Sequence, residues 1–480
     1  MPHTNLQEFI RALEAAGDLR RIAAAVDPRL EITEIADRVS KAGGPALLFE
    51  NVTGSSFPLL INAFGSFPRM ERALNCASFD EIARKIETLV KVQPPQGIMD
   101  KVRLLFTLKD IAGIMPKKVK SAPCQANVIR DERLLDHLPI LTCWPGDGGP
   151  FVTLPIVITK DPDTGIQNAG MYRMQKFDAR STGMHWQYNK DGARHYEKFK
   201  ALGKRMEVAV ALGGSPAVTY AASAPLPPDV DEMLFAGFLE GRAVELVKGK
   251  TVDLYVPAES DFVIEGFVDP GDETIEGPFG DHTGFYSPAD TYPVFRITCI
   301  THRDGAVYPA TIVGKPPMED CYMAKATERI FLPFIKLIVP EISDINLPME
   351  GVFHNCAFVS IKKHYPGQAK KVISALWGLG QMASTKFIAV FDDDIDLADY
   401  STVAWKLLNN VDPRRDLVFS EGPLDALDHS APHANFGGKM GIDATRKTRE
   451  EGMGRDWPPE IRMADDIRDL VDKRWREYGL

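Results

Sequence analysis

Between about residues 123 and 316 the chain is cut into short apolar or alternating runs punctuated by glycine and proline. This punctuation restricts the fold more than any other feature. The runs lie at 156–159, 208–211, 217–220, 252–256, 262–264 and 294–298. Each is too short for a stable helix, and β-branched residues recur in them, so each reads as a strand. Many short strands in one continuous stretch predict a β-rich domain closed as a barrel. One helical stretch, near residues 231–247, interrupts it.

Mixed patterns flank this region. Thr4 is placed to cap a helix, with Gln7 three residues on, as a capping box requires. Leu6, Phe9, Ile10 and Leu13 recur at helical spacing, and Gly17 can end the helix. A second helix is expected over residues 31–39, with strands over 46–49 and 58–61. Residues 1–115 are thus read as a mixed α/β domain, and 116–316 as the β-rich domain. Pro316-Pro317 closes the latter. A helical pattern over 318–337 follows, within a linking segment 317–340. Beyond it, strands at 357–361 and 387–391 alternate with helices at 369–379 and 402–408. That is a second α/β domain over 341–480, whose polar tail ends in a helix at 463–478. The expected class is α+β multidomain, which suits 480 residues better than one core does.

A formal net charge of −10 argues against a nucleic-acid partner, and pairs such as Lys117-Lys118 and Lys362-Lys363 supply no basic face. Six cysteines (Cys76, Cys124, Cys143, Cys299, Cys321 and Cys356) are scattered without CxxC or zinc spacing, as in a reducing compartment. No charged flank with an apolar run opens the chain, and no apolar stretch approaches the ~20 residues of a membrane helix. A cytoplasmic protein without a transmembrane segment is expected.

Residues able to do chemistry gather in a few stretches. Glu276-Gly277-Pro278-Phe279-Gly280-Asp281, continued by His282-Thr283-Gly284, sets two carboxylates five apart where Gly and Pro forbid a helix. A compact loop can turn both toward one pocket. Two carboxylates held close cannot both ionise freely, so one pKa should rise, and a raised carboxyl can carry a proton to carbon near neutral pH. Read alone, the same stretch is a solvated turn whose acids cap amides. Asn168-Ala169-Gly170-Met171-Tyr172-Arg173 offers a neutral oxygen ligand and a planar fork for a carboxylate or phosphate; read alone, it is a polar strand edge. Met184-His185-Trp186-Gln187, running on to Asn189-Lys190-Asp191-Gly192, supplies flat polarizable surface for a ring and a lysine for a phosphate. Glu232, after Pro227-Pro228, stands where a first-turn acid ordinarily satisfies the helix dipole. No G-x-G-x-x-G follows a strand. Gly249-Lys250-Thr251 ends like a phosphate loop, but Val244 stands where its first glycine is needed. G-x-S-x-G and H-E-x-x-H are absent.

In order and spacing, Asn168 to Arg173, Met184 to Trp186 and Glu276 to Gly284 resemble the UbiD family of decarboxylases. So do Ile32-Thr33-Glu34-Ile35-Ala36-Asp37, Gly44-Pro45-Ala46-Leu47-Leu48-Phe49-Glu50, Cys143-Trp144-Pro145 and Gly438-Lys439-Met440-Gly441. The likeness spans almost the whole chain and is closest to the branch acting on 3-polyprenyl-4-hydroxybenzoate and related hydroxyarenes. It implies an N-terminal α/β domain, a split β-barrel that binds flavin, a linking helix and a C-terminal α/β oligomerisation domain. It also implies prenylated FMN (prFMN) made by a separate flavin prenyltransferase, with Mn²⁺ or another divalent metal, and in part of the family K⁺, at its phosphate. A homo-oligomer, dimer or hexamer, is implied too. Carried over residue by residue, the catalytic trio is Glu276, Arg173 and Asp281, and the metal ligands are Asn168 and Glu232. The other cofactor contacts are Met171, Tyr172, Arg173, His185, Trp186, Gln187, Lys190 and Asp191. Many relatives place a metal-binding His where this chain has Asn189. An amide oxygen can also bind a hard cation, and His185 and His195 are the alternatives.

The chemistry that the resemblance implies is non-oxidative, reversible decarboxylation of an aromatic, hydroxyaryl acid through a covalent substrate–prFMN adduct, the flavin serving as electron sink. Either Glu276 or Asp281 would deliver the proton that replaces CO₂. Polyprenyl-hydroxybenzoate, simple hydroxybenzoates and a naphthoate are the substrate candidates, within ubiquinone or menaquinone biosynthesis or aromatic acid metabolism. An FMN-binding redox flavoprotein without decarboxylase activity is the alternative, and an assembly subunit a third class. The acid–Arg–acid set argues against both.

Overall fold

The computed structural model describes residues 2–90, 112–187, 190–227 and 230–479. Helix Leu6–Ala15 buries the predicted face of Leu6, Phe9, Ile10 and Leu13. Its N-cap is Asn5 rather than Thr4, because Leu6 must already face the core. The Asn5 side chain accepts from Glu8 N, and Glu8 Oε2 reaches back to Thr4 N at 2.7 Å. Gln7 takes no part in the cap; its amide crosses to Asp261 Oδ1 at 2.5 Å. Strands Leu19–Val26, Ala46–Val52 and Leu59–Ile61 form a four-stranded sheet completed by Tyr308–Pro309 from far along the chain.

The central sheet is antiparallel. Its order is Ser181–Gly183, Asp290–His302, Phe262–Glu276, Met206–Leu212, Ile156–Lys160, Gln167–Met171, and Asn127–Ile129 also pairs with Asp290–His302. Alternation along Met206–Leu212 divides its side chains between two cores. Ala209 and Ala211 join one with Ile156 and Ile158, while Val208, Val210 and Leu212 join another with Val157 and Ile264. Burial on both faces explains why this strand reads as a continuous apolar run. Among the described residues the sheet is open, since Ser181–Gly183 and Gln167–Met171 do not pair with each other.

Three local expectations are corrected. Residues 217–220 belong to helix Pro216–Ala221, not to a strand. Ser215 caps it, Pro216 opens it, and it is buried on all sides, so its sequence carries no helical period. The helix expected over 231–247 stops at Glu240, where Gly241 adopts φ +69°. Strand Glu245–Lys248 then pairs with Lys117–Val119 and Tyr255–Pro257, the last being the stranded part of 252–256. The phosphate-loop-like tail is filled from within: Lys250 N and Thr251 N donate to the buried Glu265 carboxylate at 2.8 and 2.5 Å.

Helix Glu319–Ile338 leads to a five-stranded sheet in the order Ile342–Asn346, Cys356–Ile361, Phe387–Asp392, Phe436–Asp443, Leu417–Pro423. Helix Gln368–Trp377 packs Val372 and Ile373 against Val359, Ile388 and Val390. The final helix, Asp465–Arg474, buries none of its residues. Among the described residues no helix is long and apolar enough to cross a membrane.

Candidate active site

Strand Phe262–Glu276 carries Glu276 to the end of the central sheet, where Gly277 (φ +95°) turns the chain. The turn is held from three sides. Gly277 N donates to Gln175 Oε1 at 2.6 Å, Gly148 N to Pro278 O at 2.8 Å, and Gly280 N to Asp147 Oδ1 at 2.8 Å. Asp147 Oδ2 also accepts from Cys143 N and Trp144 N. A side chain at position 280 would overlap the Trp144 indole, so this glycine is sterically required. The stretch is therefore a braced turn and not a solvated loop.

Arg173 follows strand Gln167–Met171 and lies between the two acids. Its Nε is 3.4 Å from Glu276 Oε1, Nη1 pairs with Asp281 Oδ2, and Nη2 donates to Ser287 Oγ at 3.0 Å. The guanidinium carbon sits 4.5 Å above the Phe279 ring. Side-chain exposures of 11% for Arg173, 0% for Glu276 and 7% for Asp281 make this a desolvated cluster, where charge interactions are strong. The expectation that one acid titrates high is not met at Asp281. Burial alone would raise its pKa, but the hydrogen bond from His282 and the Arg173 charge outweigh burial and hold it well below the ordinary carboxylate range. Two carboxylates alone would raise each other; Arg173 between them reverses that for Asp281.

Each acid also has an imidazole. His185 Nδ1 lies 2.9 Å from Glu276 Oε1, and the His185 ring packs 4.4 Å from that of Tyr292. His282 Nδ1 lies 2.9 Å from Asp281 Oδ1. Glu276 Oε2 is buried without a hydrogen-bond partner beside Gly183, where an added Cβ would come within 2.5 Å of it. It is an acceptor aimed into space that only a glycine leaves open.

The remaining predicted residues form a second lobe. Glu232, first in helix Glu232–Glu240, accepts from Asn168 Nδ2 at 2.7 Å and Ala169 N at 3.0 Å. Burial pushes its carboxyl up to about 7, and Asp231 and Asp191 add to the rise. Asn168 Oδ1 is buried with no partner. An orphaned amide oxygen beside a desolvated carboxylate is a donor set that suits a hard cation. Tyr172 is half-buried near Asp191 and Glu232. Lys190 and Asp191 open helix Asp191–Ala201, whose N-terminal end favours an anion, and Gln187 O accepts from Lys190 N. Trp186 packs on Tyr196 and against Gly192, leaving its Nε1 unpartnered. Met171 sits at the strand end, its N–H donating to Ala222 O. Asn189 lies outside the described residues. His195 bonds Thr159 Oγ1 at 2.8 Å and lies 3.8 Å from Asp161, while His185 is taken up by Glu276.

Sequence reasoning missed Asp147, Gln175, Ser287 and Phe279 as supports of the trio. Asp147 lies 133 residues from its partner Gly280, and only its Gly-Pro-rich setting hinted at a fixed loop.

Family models account for most of the chain. Residues 10–87, 117–316 and 321–444 match the N-terminal, Rift-related and C-terminal domains of 3-octaprenyl-4-hydroxybenzoate carboxy-lyase, UbiD. The chain belongs to the UbiD family. UbiD-class enzymes are carboxy-lyases, and this chain is an enzyme of that class. An uncharacterized protein of Archaeoglobus fulgidus is 50% identical over 479 residues, 99% of both chains. The closed form of the Sedimentibacter hydroxybenzoicus vanillic acid decarboxylase is 28% identical with a TM-score of 0.86, covering 100% of both chains. An evolved dimeric form of the UbiD-class enzyme HmfF from Pelotomaculum thermopropionicum, in complex with prFMN, is 29% identical with a TM-score of 0.78. It covers 96% of this chain and 99% of its own.

Proposed function

We propose that this UbiD-family enzyme decarboxylates an aromatic, hydroxyaryl acid, with prFMN bound on the open central sheet, read as the split barrel of residues 116–316. The carrying observation is the Arg173 guanidinium held between two buried acids, Glu276 and Asp281. The naming of one relative as a vanillic acid decarboxylase and of another as a prFMN complex supports the reading.

Bound prFMN would supply an electron sink for the carbon that loses CO₂. Arg173 steadies both acids and attracts the substrate carboxylate. The dry setting of Glu276 and Asp281 excludes water, so the proton reaching the ring carbon comes from an acid of the pair. Because Asp281 rests ionised, it delivers a proton only after receiving one. In the second lobe Asn168 and Glu232 would hold Mn²⁺ against the flavin phosphate, with the amides of helix Asp191–Ala201 and Lys190 completing the anion site. His185, Trp186, Gln187, Met171 and Tyr172 would wall the ring.

Glu276→Gln tests the assignment, using protein co-produced with a flavin prenyltransferase and screened against aromatic acids. Turnover should fall at least 100-fold while flavin and metal content stay unchanged. Wild-type turnover in the variant removes Glu276 from the reaction. Activity with plain FMN favours a redox flavoprotein instead.

A further inference from the structure

The Asp281 side of the trio continues into the C-terminal part of the chain. His282 Nε2 lies 2.8 Å from His354 Nε2. Phe353 stacks on the His282 ring, 5.0 Å between centroids at 17°. Residues 352–354 follow the short turn Met349–Gly351, and both Val352 (φ +45°) and Phe353 (φ +51°) adopt the left-handed region. A β-branched and an aromatic residue held there are strained, and such strain clusters at functional sites. The strained loop clamps one imidazole, through a face and an edge, against one catalytic carboxylate. Asp281 is buried, while His282, its side chain 16% exposed, and His354 are both half-buried.

Resting on the decarboxylase reading, we propose that His354 is a positioning residue for the proton donor: it accepts His282 Nε2–H and holds an imidazolium against Asp281, so that the proton replacing CO₂ is stored on His282. Each His282 ring nitrogen then has one role. Nδ1–H donates to the Asp281 carboxylate, and Nε2–H donates to a neutral His354. The direction of titration agrees. Burial opposes a charge on His282, but Asp281, with Asp320 and Asp425 nearby, outweighs burial and raises its pKa. Burial lowers His354 to about 4 despite Asp425 and Asp428, so His354 is the neutral partner. Arg173, beyond Asp281, is the other charge facing the cluster.

In turnover the bond from ring carbon to carboxylate breaks and CO₂ leaves. His282 Nδ1–H passes to the Asp281 carboxylate, and Asp281 delivers that proton to the carbon, which leaves Asp281 ionised and His282 neutral. Neutral His282 regains its proton from water once product has gone. One proton enters per CO₂ released, and no oxidant or reductant is needed.

The test uses full-length His354→Phe and His354→Gln, both checked for wild-type melting, with two readouts. In flavin-free protein carrying ¹⁵N-labelled histidine, His282 should titrate above the ordinary value of about 6.5. Its midpoint should drop by about one pH unit in His354→Phe, a tenfold change in acid strength, and recover in His354→Gln, whose amide oxygen still accepts Nε2–H. In the loaded enzyme the alkaline limb of the kcat profile should move with it: roughly tenfold slower turnover in His354→Phe at pH 8, little change at pH 6, and rescue by Gln. An unmoved His282 titration overturns the proposal, as does a loss of kcat equal at every pH. If no aromatic acid is turned over, the decarboxylase reading fails, while the titration still decides whether His354 holds a charged His282.

Discussion

Replacing Arg173 by Met should invert the pH response of stability around the acid pair. Met keeps much of the side-chain volume and removes the charge. At the 3.4 Å separation of Arg173 and Glu276, Coulomb's law with an effective dielectric constant of about 20 gives roughly 5 kcal/mol of attraction. Part of that offsets desolvation of the groups, which is why breaking one side of a buried pair typically costs about 3–5 kcal/mol. The variant leaves two buried carboxylates with two imidazoles and the His282 amide as partners. In the wild type the folded Asp281 pKa is depressed, so its contribution is present above the unfolded value of about 3.9 and is lost as pH falls through the folded one. In Arg173→Met the carboxylates raise each other instead, and protonation relieves them. The deficit should be about 3–5 kcal/mol at pH 8 and shrink below about 1 kcal/mol near pH 5. Urea unfolding followed by tryptophan fluorescence reads this, since Trp144 braces the turn and Trp186 lies in the cofactor lobe. With a slope of roughly 3 kcal/mol per molar, the midpoint should fall by about 1 M at pH 8. A variant as stable as the wild type, or a deficit that does not change with pH, refutes the view that Arg173 neutralises two buried acids.

Two further outcomes are expected. Gly280→Ala should destabilise by about 1–3 kcal/mol and reduce activity, because Trp144 is tied by Nε1–H to Val313 O at 2.9 Å and cannot step aside; unchanged melting and turnover would mean that the turn is not braced there. Glu232, raised to about 7 by burial, should make metal-free protein more stable as pH falls and less stable as pH rises through that value. Mn²⁺ should therefore raise the melting temperature more at pH 8 than at pH 6, and Glu232→Gln should abolish the difference; an equal Mn²⁺ response in both proteins removes Glu232 from the metal site.

Local chemistry was legible wherever neighbours in sequence are neighbours in space. Leu6, Phe9, Ile10 and Leu13 showed their helix because one face is buried and the other wet, and Gly17 marked its end. Helix Pro216–Ala221 was misread because burial on every side erases that contrast. The family motifs named Arg173, Glu276 and Asp281, and the fold brings all three together.

By itself, the sequence determined which residue types stand where: the glycines that permit a sharp turn, the two acids five apart, and the helix and strand periods of the stronger elements. Tertiary structure alone decided the charge states. Arg173 is 103 residues from Glu276 and 108 from Asp281, His354 is 72 from His282, and Asp147 is 133 from Gly280. Whether a carboxyl titrates high or low depends on which charge folding sets beside it and how much water it removes, and neither quantity is a local property of the chain.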